Sequence, residues 1–178
     1  MKKDHKRLDF WAGLWQKLDM IELKLLLLII VANGVPILTR DVFNKRFDTP
    51  LDFNHLFVDG ERVFGETKTL RGVFASIIVT TVMAVLLDLR FMLGFVIASL
   101  AMFGDLVASF IKRRMKKPPS SRALGLDQIP ESLLPMLGCQ IMLGLDWMTV
   151  LGVVCLFIIA EIILSKVLYY IHIRKVPF

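Results

Sequence analysis

The sequence has little cysteine, little histidine and a low share of charge. Only two cysteines occur among the 178 residues, and both lie inside apolar runs, so neither a disulfide framework nor a cysteine metal cluster is indicated. Charged residues make up 21% of the chain, whereas 56% is hydrophobic and the mean hydropathy is +0.64. These values exclude a disordered chain and an ordinary soluble domain.

The apolar residues are grouped into five blocks with charge clustered between them, which is typical of a polytopic membrane protein. Each block approaches the ~20 residues needed to cross a bilayer, and the fourth is the shortest. Because only helices satisfy every backbone group within one such segment, the sequence predicts an all-α bundle. Asn33, Gly34 and Pro36 are expected to interrupt the first block. The blocks cover about residues 20–39, 70–87, 91–111, 129–145 and 147–171.

Basic residues predict how the bundle is oriented. Five spans place the two chain ends on opposite sides, and the larger basic group lies in the loops after the first and third blocks. Those loops are therefore predicted to face the cytoplasm of an inner or plasma membrane. Residues 8–20 carry one apolar helical face, which predicts an interfacial helix, although an extension of the first span explains it equally well. We expect an amphipathic segment, 1–19, and a single five-helix transmembrane domain, 20–178.

The polar loop after the first block contains glycines and cations that suit a phosphate group. Gly60 and Gly65 have the spacing of a P-loop, but Glu66 stands where that motif requires lysine, so the motif is rejected. Lys68 and Arg71 lie three residues apart just before an apolar helix, where two cations form a plausible phosphate seat. The alternative is that both side chains only snorkel at the membrane boundary.

The third block contains an acid inside the predicted membrane. Asp105, Ser109 and Lys112 lie at i, i+4 and i+7, so they share one helical face. Asp105 lies about 10 Å into the bilayer, where a carboxylate costs roughly 2.5–3.5 kcal/mol and should face a polar cavity. An acid aligned with a hydroxyl and a cation favours a metal or phosphate site. A structural pairing with a basic neighbour is the alternative.

A second acid follows the basic run at residues 112–117. Asp127 is well placed to cap the fourth helix, with Pro130 in the first turn. Yet two carboxylates at the cytoplasmic ends of consecutive helices are also what a hard cation such as Mg²⁺ requires. The basic run is equally explained as an anchor for anionic lipid. The residues alone leave these alternatives open.

In combination, these motifs resemble the CDP-archaeol synthase family of membrane cytidylyltransferases over about residues 31–135. The phosphatidate cytidylyltransferase signature fits only partly, because Leu126 stands where that signature has lysine, and its His-Gly-Gly and Asp-Arg elements are absent. Its Ser-x-x-Lys-Arg core is present. The resemblance is carried by Ala32-Asn33 with Pro36, Asp59-Gly60 to Lys68-Thr69-Leu70-Arg71-Gly72, Gly104-Asp105-Leu106, Ser109 to Arg114, and Leu126-Asp127-Gln128.

The resemblance implies transfer of CMP from CTP to a lipid monophosphate, with release of pyrophosphate and a requirement for Mg²⁺. It implies that Asp105 and Asp127 hold the metal and act in catalysis together with Lys68 and Lys112. The expected partners are CTP, an archaeol-phosphate-like or phosphatidate-like lipid and the bilayer, and not nucleic acid. The residues expected to bind substrate are Asn33, Gly65, Thr69, Arg71, Ser109, Arg113 and Arg114.

The chemistry of this reaction agrees with the composition. A lipid phosphate oxygen is already ionised near neutral pH, so no strong general base is required, and only three histidines occur. Such transfer depends on positioning and charge neutralisation, in which we expect Lys68 to contact mainly CTP and Arg113 mainly the lipid phosphate. A small transporter or a non-catalytic lipid-binding protein is the alternative, because Asp105, Glu161 and an interrupted first helix would suit transport.

Overall fold

The structure is a computed structural model that describes residues 20–44, 46–118 and 125–170. The segment 1–19, predicted to be amphipathic, lies outside the described residues. Within them the chain forms five α-helices and no β-strand, so the all-α prediction is confirmed. The helices are α1, Met20–Phe43; α2, Leu70–Leu86; α3, Phe91–Arg114; α4, Gln128–Leu143; and α5, Trp147–Tyr170.

Three of these helices, α1, α3 and α5, are long and apolar enough to cross a membrane. The apolar helix α2 has 17 residues and α4 has 16. At ~1.5 Å per residue both are shorter than a hydrocarbon core of ~30 Å. Because α1, α3 and α5 are long and apolar enough to cross a bilayer, the chain is an integral membrane protein. The count of five full spans stays a prediction, because α2 and α4 are shorter.

Helix α1 continues without a break through Pro36, so the interruption predicted for the first block is wrong. A proline inside a helix leaves the carbonyl four residues earlier without its donor, which here is the carbonyl of Ala32. Ser76 of α2 donates its hydroxyl to that oxygen at 2.6 Å. The amide of Asn33 donates to the Ile29 carbonyl at 3.0 Å, which ties it to its own helix.

Helix α3 contacts both of its neighbours through glycines. A Cβ atom added at Gly94 would lie 2.5 Å from the Cβ of Ala84 in α2. One added at Gly104 would lie 2.2 Å from the carbonyl oxygen of Pro130 in α4. Small residues of this kind let helix backbones approach closely in a membrane bundle. The close approach at Gly104 places the start of α4 directly against the C-terminal half of α3.

The apolar core occupies the half of the bundle opposite the polar loops. Since consecutive helices alternate in direction, the start of α1, α3 and α5 meets the end of α2 and α4 there. The buried core residues in this half include Leu25, Leu28, Ile29, Leu93, Ile97, Met136, Cys139, Val150, Val153 and Phe157. The other half of the bundle is left for the charged side chains described next.

Candidate active site

Lys68, which precedes the N-cap of α2, forms an ion pair with Asp105 of α3. The pair lies in the half of the bundle that contains the charged side chains. Lys68 Nζ is 2.5 Å from Oδ1 and 2.6 Å from Oδ2 of Asp105. Burial opposes the charge on Lys68, but the carboxylates of Asp105, Glu131 and Asp127 raise the pKa of this lysine above its usual value. Lys68 is therefore positively charged at neutral pH. The pairing of Asp105 with a basic neighbour, which the sequence left as an alternative, is present.

A second ion pair joins α3 to the residue that precedes α4. Lys112 Nζ lies 2.7 Å from Oδ1 of Asp127, and both side chains are largely buried. Asp127 is the N-cap residue of α4, as the sequence predicted, but its side chain makes no capping hydrogen bond to that helix. Its carboxylate is turned toward α3 instead. Ser109 is buried one turn before Lys112, on the face that the sequence predicted.

Glu131 adds a third carboxylate, which the sequence analysis did not assign. It is buried, and Asp105, Lys68 and Glu161 are the ionisable residues that act on it electrostatically. The signal in the sequence was its position four residues after Asp127, because residues at i and i+4 share a helical face. We call Lys68, Asp105, Lys112, Asp127 and Glu131 the polar cluster.

The donors of the polar cluster suit a magnesium ion that is shared with a phosphate chain. Carboxylate oxygens are the hard ligands that Mg²⁺ prefers, and the ion usually takes one or two of them together with substrate phosphates. Over residues 20–44, 46–118 and 125–170, no group of three or more His, Cys, Asp or Glu side chains is arranged to hold a metal by itself. It is the chemistry of these carboxylates, and not a preformed group of ligands, that is compatible with Mg²⁺.

The loop before α2 is organised by Asp52, which the sequence analysis did not single out. Its buried carboxylate accepts backbone hydrogen bonds from Asn54, Phe64 and Gly65 at 3.0 to 3.2 Å. Arg62 Nη2 pairs with it at 2.5 Å. Gly65 has a φ of +96°, a conformation that glycine adopts without steric cost. The Asp52 carboxylate thus fixes the turn that carries Gly65.

We expect Asp52→Asn to lower the free energy of unfolding at neutral pH. We also expect the free energy of unfolding of the variant to change less than that of the wild type as the pH falls. Burial opposes the Asp52 charge, but bonds from Arg62, Gly65, Phe64 and Asn54 outweigh it and lower the pKa from 3.8 to about 2. Because folding lowers this pKa, the ionised Asp52 carboxylate stabilises the folded state by about 2 kcal/mol. This contribution is complete above about pH 4 and is lost as the pH falls toward about 2.

The measurement for Asp52 is the thermal unfolding midpoint of the detergent-solubilised protein from pH 7 to pH 3. At each pH the midpoint of the variant is subtracted from that of the wild type. Asp41→Asn is the matched control, because Asp41 is exposed and, among the residues that the structure describes, it pairs with the exposed Arg40. A wild-type-minus-D52N difference that stays constant across this pH range would contradict the assignment.

Arg113 lies against the Gly65 turn. The residue is 5% exposed, and a Cβ atom at position 65 would lie 3.5 Å from its Nη1. Its Nη2 donates to the Pro118 carbonyl at 3.0 Å. Its Nε has no hydrogen-bond partner within the described part of the chain. A buried guanidinium with a spare donor beside a glycine turn is suited to an anionic group.

Two of the predicted substrate-binding residues lie at the base of α2 and are not in the polar cluster. Arg71 Nη1 donates to the backbone carbonyls of Asn44 and Arg46, and Nη2 pairs with Asp48 at 3.3 Å. Thr69 is the N-cap of α2, with its hydroxyl accepting from the backbone of the residue three positions later at 3.2 Å. Arg71 therefore joins the start of α2 to the segment that follows α1, whereas Thr69 caps its own helix.

Arg114 also has its contacts within the loop before α2. Its guanidinium lies over the rings of Phe57 and Phe110, 4.6 Å and 4.8 Å from their centroids. Nε pairs with Asp59 Oδ2 at 3.0 Å, and Nη2 donates to the Arg62 carbonyl at 2.7 Å. Arg114 thereby joins the loop to the end of α3. Its predicted contact with substrate stays a prediction.

Comparison with known proteins gives the family from sequence and a shared fold from one solved structure. A family model described as CarS-like, CDP-archaeol synthase, matches residues 18–178. A CDP-archaeol synthase of Sulfurisphaera tokodaii is 32% identical over 155 residues, which cover 83% of this chain and 89% of that protein. One from Pyrococcus furiosus is 42% identical over 90 residues, 45% of this chain and 54% of that protein. A solved intramembrane enzyme for archaeal membrane lipids biosynthesis shares the fold, with a TM-score of 0.65, 24% identity and coverage of 78% of this chain and 90% of that one.

Proposed function

The chain belongs to the CDP-archaeol synthase family, and we propose on that premise that its polar cluster transfers CMP from CTP to a lipid monophosphate. The observation that carries the proposal is the pair of lysine–carboxylate bridges, Lys68 with Asp105 and Lys112 with Asp127. They join the start of α2, the inner end of α3 and the start of α4 at one mouth of the bundle. The same mouth is where a water-soluble nucleotide and a lipid headgroup can meet.

The reaction needs little proton transfer. An ionised oxygen of the lipid phosphate attacks the α-phosphorus of CTP and forms a new P–O bond, while the bond from that phosphorus to the bridging oxygen breaks. Pyrophosphate leaves with the electron pair. Catalysis of such a step consists of positioning the two phosphates and neutralising developing charge. Lys68 and Lys112 are placed to supply that positive charge.

The cation and the remaining residues have assigned places in this proposal. Asp105 and Asp127 would hold Mg²⁺, which when bound withdraws negative charge from the triphosphate. Arg113 and the Gly65 turn offer donors to a phosphate group at the edge of the cluster. Ser109, buried one turn from Lys112, would orient a phosphate oxygen. Asn33 is bonded within α1 and is given no step.

The lipid substrate is tested by a panel assay with purified protein, CTP and Mg²⁺. The panel holds an unsaturated isoprenoid ether phosphate (digeranylgeranylglyceryl phosphate), its saturated counterpart and phosphatidate. We expect CDP-lipid from the isoprenoid ether phosphate at a kcat/KM at least about tenfold above that for phosphatidate, because tenfold needs only about 1.4 kcal/mol of differential binding. Equal rates would contradict the archaeol-type lipid, and no CDP-lipid from any member would contradict the function.

The proposed cytoplasmic position of the cluster is tested by cysteine accessibility in intact cells. Cysteines are introduced singly at the exposed positions Asn54, Arg90 and Asp146, in a variant that lacks the native Cys139 and Cys155. An impermeant thiol reagent should label positions 90 and 146 before lysis, and position 54 only after it. Labelling of position 54 in intact cells would reverse the orientation.

A further inference from the structure

The ion pair of Asp52 and Arg62 lies in the loop before α2, outside the polar cluster, and has no step in the mechanism above. The Asp52 side chain is fully buried, whereas the Arg62 side chain is 24% exposed. Arg62 Nη2 lies 2.5 Å from Asp52 Oδ1, and its Nε donates to Oδ2 at 3.3 Å. This bidentate contact fixes the plane of the carboxylate, because a guanidinium is a rigid planar fork.

The Asp52 carboxylate fixes the path of the backbone that leads to Lys68. Its Oδ2 accepts from the backbone N–H groups of Phe64 and Gly65, at 3.2 Å and 3.0 Å. The carbonyl of Gly65 in turn accepts from the backbone N–H of Lys68 at 3.3 Å. The amide side of Lys68 is therefore tied to a residue that the carboxylate holds.

The carbonyl side of Lys68 is tied to the residue next to Asp52. The backbone N–H of Leu51 donates to the Lys68 carbonyl at 2.7 Å, and the N–H of Leu70 donates to the Thr49 carbonyl at 3.0 Å. These two bonds pair the chain before Asp52 with the chain around Lys68 in antiparallel direction. Asp52 thus holds the Lys68 backbone twice, once through its carboxylate and once through its own main chain.

The ammonium group of Lys68 depends on this backbone for its position. A lysine stem is flexible, so the place where the stem begins limits where its charge can lie. Lys68 Nζ lies 2.5 Å and 2.6 Å from the two carboxylate oxygens of Asp105. A displacement of ~1 Å at a catalytic group is enough to lower a rate by about 10²-fold.

We infer that Asp52 and Arg62 form a positioning pair for the transfer reaction, which holds the Lys68 backbone so that its ammonium meets the phosphates of CTP in the polar cluster. The inference rests on the proposed function. It differs from a purely structural role, in which the pair stabilises the loop without acting on Lys68. It also differs from a binding role, in which Arg62 itself contacts a substrate phosphate.

A double-mutant cycle of Asp52→Asn with Lys68→Ala separates these roles, because a residue that acts through Lys68 loses its effect once Lys68 is replaced. Asp52→Asn keeps the shape of the side chain but turns an NH₂ group toward hydrogen-bond donors. The dissociation constant of CTP is measured by equilibrium dialysis with labelled CTP and Mg²⁺, and the KM for CTP at saturating lipid phosphate. We expect Asp52→Asn to raise both constants by about tenfold in the wild-type background and by less than about threefold in the Lys68→Ala background.

Two further variants complete the test. Arg62→Gln leaves the Asp52 carboxylate in place but removes the planar fork, so we expect the same pattern with a rise of roughly three- to tenfold. Leu28→Ala is the control for a loss of stability, because Leu28 is fully buried in the apolar core and the change leaves a cavity. It should lower the thermal midpoint in detergent but keep the wild-type KM for CTP, since Leu28 lies in the half of the bundle opposite the polar loops. The thermal midpoint also identifies any variant that is not folded, and either Asp52→Asn or Arg62→Gln recovered in folded form decides the test.

Equal fold-changes in the two backgrounds would overturn the inference. They would favour a structural role if Leu28→Ala also shifts the KM for CTP, and direct contact of Arg62 with substrate if it does not. Wild-type constants for CTP in the folded Asp52→Asn or Arg62→Gln variant would overturn it as well. The proposed function fails separately, if the wild type binds CTP but forms no CDP-lipid, and the cycle measured by dialysis still decides the inference.

Discussion

Replacing Asp105 by Asn is expected to reduce CMP transfer by about 10²–10³-fold, the usual cost of removing one preorganised electrostatic group from an active site. The variant keeps the shape of the side chain but loses the charge that pairs with Lys68 at 2.5 Å and that would bind the cation. Asp127→Asn should give a loss of the same order, because Asp127 forms the equivalent pair with Lys112.

The assay for these two variants compares turnover in membranes and in detergent, with protein amounts matched by immunoblot to check insertion. Asp41→Asn serves as the control, since it makes the same change at an exposed acid at the end of α1. It should retain wild-type turnover. Substantial Mg²⁺-dependent turnover in Asp105→Asn or Asp127→Asn would remove that residue from the metal assignment.

Lys68→Ala is expected to raise the KM for CTP by roughly ten- to a hundredfold, the cost of about 1.5–3 kcal/mol for a charge-assisted contact. The change also leaves Asp105 without its cationic partner inside the bundle, which adds to the loss. The measurement is a titration of CTP at saturating lipid phosphate, followed by the reverse titration. An unchanged KM for CTP would contradict the role given to Lys68.

The same titrations decide how Arg113 acts. The sequence predicted that Lys68 contacts mainly CTP and Arg113 mainly the lipid phosphate. The structure places the Arg113 guanidinium against the Gly65 turn, which belongs to the same loop as Lys68. We now expect Arg113→Ala to weaken the binding of CTP as well as that of the lipid phosphate. A loss confined to the lipid phosphate would restore the original division.

The helices and one face of the site follow from the sequence because they depend on local pattern. Apolar runs bounded by charge predicted all five helices to within a few residues. The spacing of Asp105, Ser109 and Lys112 predicted their common face on α3, since a helical period fixes it. The pairing partners Lys68 and Asp127 were also among the predicted residues, although the sequence did not specify which lysine meets which acid.

The remaining features depend on contacts between residues far apart in the chain. Pro36 does not interrupt α1. The Ala32 carbonyl, which the proline leaves without a donor, accepts from the Ser76 hydroxyl 44 residues further along the chain. Arg71 and Arg114 are residues of the type that binds phosphate, but in the structure their guanidinium groups contact backbone carbonyls and aromatic rings distant in the sequence. Asp52 organises a turn 13 residues further on. Glu131 enters the cluster because Gly104 lets two backbones touch. No local motif encodes such approaches.

The fate of labelled phosphate in CTP tests the central claim most directly. Purified protein is incubated with an isoprenoid ether lipid phosphate, Mg²⁺, and CTP labelled at either the α- or the γ-phosphorus. Cytidylyl transfer predicts that the α-label appears in the lipid and the γ-label in pyrophosphate, in equal amounts, with both signals lost in Asp105→Asn. The γ-label in the lipid, or no label from either position, would contradict the assignment of this chain as a CTP-dependent cytidylyltransferase.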